Sequence, residues 1–93
     1  MQNYEYPIEL DWTYDEMDQV IQLWRAVELA YETGINREEF LTRYRGFKEI
    51  VPAKGEEKHY AREFEKLSGY SLYHAVKAAR DSDKPKIKLE KRR

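Results

Sequence analysis

The sequence predicts an all-α fold: a compact array of about four helices, an extended N-terminal strap before them and a frayed basic tail after them. Three observations predict it. Apolar residues recur at helical spacing in four separate stretches. Three of those stretches begin at residues suited to helix caps, and glycine or proline ends three of them. The stretch that alternates instead is "NYEYPIELDW", where Tyr4, Tyr6, Ile8, Leu10 and Trp12 follow a period of two, with a second, shorter alternation only at Lys86–Leu89.

The first helix is predicted from Thr13. Thr13 and Glu16 form a capping box, and Trp12 can staple onto Met17. Met17, Val20, Ile21, Trp24, Val27 and Tyr31 follow helical spacing, and Leu23 and Ala30 widen the apolar stripe to about half the circumference. Such a helix has neighbours on more than one side. Gly34 suits its left-handed cap position.

The second helix starts at once, with Asn36 as cap, Glu39 as the acid three residues on and Ile35 as staple to Phe40. Its stripe is Phe40, Tyr44, Phe47 and Val51, flanked by Leu41 and Ile50, and Pro52 ends it. The short link makes the first two helices a tight hairpin. The third helix starts near Lys54–Glu56 behind a weak cap and turns Tyr60, Phe64 and Leu67 inward. Glu56 and Glu57 face the positive end of its dipole, and Gly69 ends it. Ser71 caps the fourth, about Leu72 to Arg80, whose inner face is Leu72, Ala75, Val76 and Ala79.

These elements divide the chain into one helical domain, residues 1–80, with residues 1–12 as strap, and a basic flexible tail, residues 81–93. The strap needs something to pack on, because extended backbone must satisfy its donors and acceptors. Trp12 staples the first helix, so Tyr6, Ile8 and Leu10 are expected to lie along the bundle. Pairing with Lys86–Leu89 is disfavoured by Pro7, which lacks a ladder donor.

The 93 residues suffice for one domain with a modest core. Thirteen aromatic residues supply burial, and 38% charged residues supply a solvated surface. There is no cysteine, which excludes disulfides, thiolate catalysis and cysteine-ligated zinc. No run reads as a signal peptide or a membrane span, so the expected location is cytoplasmic, away from membranes. The net charge of −1 divides unevenly: residues 1–80 carry 11 Lys/Arg and 15 Asp/Glu, whereas residues 81–93 carry 6 and 3.

The stretches "YPIELDW", "AVELAYETGINREEF", "YRGFKEIVPAKGEEK" and "EFEKLSGYSLYHAVKAA", in this order and spacing, resemble uncharacterised protein family 0223, small proteins of Gram-positive bacteria. The resemblance covers roughly residues 3–80. It implies an all-helical fold and a bacterial cytoplasmic protein. It implies no activity, so no functional residues carry over. The sequence departs from the family pattern at Ala53 and Gly55, where Ser and Ala are expected. That leaves the third helix without a capping side chain.

Chemical motifs are sparse. Glu56-x-x-His59 with Glu63 has metal-like spacing, but no second copy exists and all three lie beside the exposed arc. A charged, solvated face explains them, so no metal site is predicted. Ser68 and Ser71 sit where helix boundaries want Ser, and His74 points off the inner face, so no catalytic residues are assigned. The four glycines are isolated, which leaves no phosphate loop and no expected cofactor.

Two surfaces remain as candidates. Tyr4, Tyr14, Tyr70 and Tyr73 are not dictated by the helical stripes, and tyrosine favours interaction surfaces. Against this stands the plainer role of covering core edges. Arg37, Arg45, Lys48, Lys54, Lys58 and Arg62 form a candidate basic surface on the second and third helices. Acidic residues interleave with them, and nucleic-acid readers show a clear basic field. The function is therefore unknown at the level of activity. The leading expectation is a small non-enzymatic protein–protein interaction or regulatory module, with another protein or a second copy of the chain as partner. The alternative is a nucleic-acid-associated accessory protein using those basic residues or the tail. Arg43 and Glu28, each beside an apolar arc, are expected to form a half-buried pair between the first two helices.

Overall fold

A computed structural model describes residues 6–90. Its elements in chain order are α1 (Tyr14–Glu32), β1 (Ile35–Asn36), α2 (Arg37–Ile50), α3 (Lys54–Ser68), α4 (Leu72–Asp81) and β2 (Lys86–Ile87). The four helices of the all-α prediction are all present. The addition is a small two-stranded antiparallel sheet, with Ile35 opposite Ile87 and Asn36 opposite Lys86.

The helix boundaries follow from local chemistry. Thr13 and Glu16 close the capping box reciprocally, with bonds of 3.1 and 2.9 Å. The Asn36 side chain accepts from the Glu39 amide at 2.9 Å, and Ser71 accepts from the His74 amide at 3.2 Å. Ala53 contributes no capping bond to α3. Gly34, at φ +93°, and Gly69, at φ +81°, take the left-handed conformation that turns the chain out of α1 and α3.

α1 is the central helix. Val20, Leu23, Trp24, Ala26, Val27 and Ala30 are all buried, spread over about half of its circumference. Trp24 stacks on Phe64 at 4.7 Å and meets Phe47 edge-on at 5.5 Å, which joins α1 to both α3 and α2. Its indole N–H donates to the Pro7 carbonyl at 3.1 Å, so the strap is tied to the same ring. α4 adds a flat face of Leu72, Ala75, Val76 and Ala79.

The strap packs as expected at Tyr6 and Ile8, but Leu10 is 89% exposed. A turn at residues 10–12, closed by the Trp12 amide on the Glu9 carbonyl at 3.3 Å, breaks the alternation there. Trp12 then packs on Tyr60 at 5.6 Å. Leu67 also departs from expectation. It continues the Tyr60–Phe64 stripe, but in the last turn of α3 it is left 43% exposed.

The tail differs most from the reading as frayed. Residues 85–89 are docked. Ile87 is only 4% exposed and joins the core beside Ile35. The Arg37 amide donates to the Pro85 carbonyl, and the Leu89 amide donates to the Ala30 carbonyl, both at 2.8 Å. Helix ends leave orphan amides and carbonyls. The tail backbone satisfies an orphan donor at the start of α2 and a carbonyl near the end of α1. Lys84, Lys86 and Lys88 remain turned to solvent. The short alternation at Lys86–Leu89 thus finds its partner in Ile35–Asn36.

Candidate functional site

The tyrosine excess has a structural use. Four hydroxyls donate to carboxylates on other elements: Tyr6 to Glu28 at 2.8 Å, Tyr44 to Glu57 at 2.6 Å, Tyr60 to Glu9 at 3.0 Å and Tyr70 to Glu32 at 2.8 Å. These bonds tie strap to α1, α2 to α3, strap to α3, and the α3–α4 link to α1. Burial, reinforced by the accepting carboxylates, pushes the Tyr44, Tyr60 and Tyr70 hydroxyls up to about 12. They therefore remain donors throughout the neutral range.

Among the described residues, Glu28 is the one carboxyl held well above its ordinary range, at about 7, first by burial and then by the nearby negative charge of Glu32. It does not meet Arg43. Its carboxyl accepts from Tyr6, while Arg43 bonds to Glu39, one turn earlier on α2, and to the Gln22 carbonyl at 3.2 Å. The guanidinium reaches back along its own helix and to α1 backbone, so each member of the expected pair has other partners.

The tyrosines singled out from sequence separate into different environments. Tyr4 lies outside the described residues. Tyr14 is 86% exposed at the first position of α1. Tyr70 stacks face to face on Tyr31 at 4.6 Å and covers an edge of the core. Tyr73 stands 68% exposed on the first turn of α4.

The basic residues divide as well. Arg37 donates through Nε to the Ala79 carbonyl at 2.6 Å and pairs with Glu38, which anchors the start of α2 to α4. Lys48 bridges α2 to α3 through Glu57 at 2.6 Å and also donates to the Pro52 carbonyl at 3.1 Å. Arg45 is exposed and donates to Thr42 at 3.2 Å. Lys54, Lys58 and Arg62 are exposed along α3.

Lys58, Arg62 and Tyr73 meet at one place. An open groove of about 430 Å³ lies between α3 and the start of α4, bounded by Lys58, Ala61, Arg62 and Glu65 on one side and Leu72 and Tyr73 on the other. A larger groove, about 1030 Å³, runs between α4 and the tail, with Tyr31, His74, Lys77, Lys88 and Leu89 in its walls. Its charges are mixed, and Lys77 is already paired with Asp81 at 3.0 Å. The sequence singled out Lys58, Arg62 and Tyr73 of the smaller groove, but not Ala61 or Glu65. Their meeting depends on how α4 packs, which helical periodicity does not encode. Among the described residues, no group of three or more His, Asp or Glu side chains is placed to hold a metal ion, and Glu56-x-x-His59 stays on the solvent side. No helix among them is long and apolar enough to cross a membrane.

Fold and surface together define a small helical protein whose strap and tail are both fastened to a four-helix core. The chain belongs to the group described as Uncharacterised protein family (UPF0223), whose family profile matches residues 3–88. It is 56% identical over 86 residues to UPF0223 protein YktA of Bacillus subtilis, spanning 92% of this chain and 98% of that protein. It is 54% identical over 84 residues to UPF0223 protein SSP1692 of Staphylococcus saprophyticus, 90% of this chain and 91% of that one. A UPF0223 protein of Streptococcus sanguinis is 47% identical over 89 residues, 96% of this chain and 97% of that protein. The family match runs to Lys88, beyond the end of the sequence resemblance, so it takes in the tail strand Lys86–Ile87.

Proposed function

We infer that this chain is a non-enzymatic protein-binding module of the bacterial cytoplasm, and that it engages another protein through the α3–α4 groove. The observation that carries this reading is the convergence of Lys58, Arg62 and Tyr73 on one open concavity. Exposed tyrosine offers apolar area and a hydrogen-bonding tip at low entropic cost, and arginine is a frequent interface anchor. The nucleic-acid alternative is weakened because Arg37 and Lys48, two members of the basic set, are committed to contacts within the fold.

The test compares tagged wild type with a Lys58→Ala/Arg62→Ala/Tyr73→Ala variant in affinity capture from an extract of the source bacterium. Captured proteins are identified by mass spectrometry. A protein retained by wild type and lost from the folded variant supports the reading. Identical retention by the two chains refutes it. A retained mass equal to the chain's own would make the partner a second copy.

A further inference from the structure

The charges of the α3–α4 groove carry the argument to the chemistry of the partner. Lys54, Lys58 and Arg62 recur every four residues, which places them in one row along α3, about 6 Å apart in rise. Like charges at that spacing destabilise a helix by about 0.2–0.5 kcal/mol per pair. Several other cations on the helices are paired with carboxylates, Arg37 with Glu38, Arg43 with Glu39, Lys48 with Glu57 and Lys77 with Asp81, whereas Arg45 reaches only the Thr42 hydroxyl. Among the described residues, none of Lys54, Lys58 and Arg62 has an ion-pair or hydrogen-bond partner, side chain to side chain.

Two carboxylates of α3 are engaged away from the groove. Glu57 faces α2, held by Tyr44 and Lys48, and Glu63 lies beside Lys66. Glu65 alone shares the groove wall with the two cations, one turn beyond Arg62. The groove therefore runs from positive to negative along α3, with the exposed Tyr73 ring on the opposite side above the buried Leu72.

We propose that this groove docks an acidic segment of a partner protein, with carboxylates opposite Lys58 and Arg62, an apolar side chain against the exposed Tyr73 ring, and no acid opposite Glu65. The proposal rests on the protein-binding reading and adds the partner's chemistry to it. Alternate side chains of an extended segment stand about 6.6–6.8 Å apart. Two acidic residues separated by one other residue thus match the spacing of Lys58 and Arg62. Glu65 and the net negative body disfavour a continuous polyanion, which would have to run past them.

A phage-displayed library of random peptides, about twelve residues long, panned on the immobilised full chain tests this. Wild type is expected to enrich peptides with two Asp or Glu residues at alternate positions next to an apolar residue. Exposed ion pairs contribute about 0.2–1 kcal/mol each, so binding of the synthesised consensus peptide should fall about tenfold in Lys58→Glu/Arg62→Glu. It should also weaken as salt rises from about 50 to about 300 mM. Circular dichroism checks that the variant is folded, and panning on it should enrich basic peptides.

Selected peptides without acidic bias overturn the proposal. If they still depend on Tyr73, by loss of binding in Tyr73→Ala, the protein-binding reading stands and only the acidic partner is lost. Acidic peptides that bind both chains equally also overturn it. So does a short oligo(dT) that outcompetes the selected peptide, or a dimer in sedimentation that the double variant abolishes. These last two outcomes assign the groove to nucleic acid and to a second copy respectively.

Discussion

Replacing Glu28 by Gln should change how the protein's stability depends on pH. The Glu28 carboxyl is half-buried on α1, accepts from Tyr6 of the strap and lies near Glu32. Its pKa is raised from 4.5 to about 7. A carboxyl raised in the folded state contributes stability that is fully present below its unfolded pKa and is lost as pH rises through the folded one. The wild type should therefore lose this contribution between about pH 4.5 and pH 7. At 1.36 kcal/mol per tenfold change in proton affinity, the ceiling is about 3.4 kcal/mol. Glu28 is partly open to water, and screening reduces the expected effect to about 1 kcal/mol. In a domain of this size that is about 4–8 °C in Tm. Gln keeps the shape and an acceptor for the Tyr6 hydroxyl but cannot ionise. Thermal melts of both chains from pH 5 to pH 8 should diverge, with Glu28→Gln gaining on wild type as pH rises. Parallel profiles would refute the reasoning, because they would mean that Glu28 carries its charge in the fold at no cost.

Ala53→Ser should stabilise α3 by about 0.5–2 kcal/mol, since the extended backbone at Ala53 (φ −77°, ψ 133°) already has cap geometry and lacks only the accepting oxygen. Denaturant melts check it. Ile87→Ala should cost about 2 kcal/mol, the lower end for a buried Ile, because it unseats the tail from Ile35. In hydrogen exchange the amides of Arg37 and Leu89 should lose protection with it, while those within α1 keep theirs.

The helices were legible because their signals are local. Thr13 with Glu16, Asn36, Ser71, Gly34 and Gly69 each announce a boundary within a few residues, and the structure places a cap or turn at every one. The central position of α1 was legible too, from the breadth of its apolar stripe. What failed was non-local. Ile87 and Leu89 sit among lysines, and what holds them is backbone at the ends of two distant helices, which leaves no mark in their own neighbourhood. Leu10 was misplaced because periodicity cannot register a turn at residues 10–12. The candidate groove was half legible: its basic row and its tyrosine could be named, but not that α3 and α4 bring them face to face.

The docked tail also bears on the order in which the molecule assembles. The pairing of Ile35 with Ile87 closes a loop of about 50 residues, and for a free chain that closure costs about 3.5 kcal/mol in entropy. Two ladder positions cannot offset it alone. The loop becomes short only once α2, α3 and α4 are in place and carry residue 85 back to the start of α2. The ladder is therefore expected to close late, after the rate-limiting barrier to folding. Weakening it should leave the folding rate nearly unchanged and speed unfolding. The few residues that close the sheet then govern how long the native molecule persists, rather than how fast it is reached.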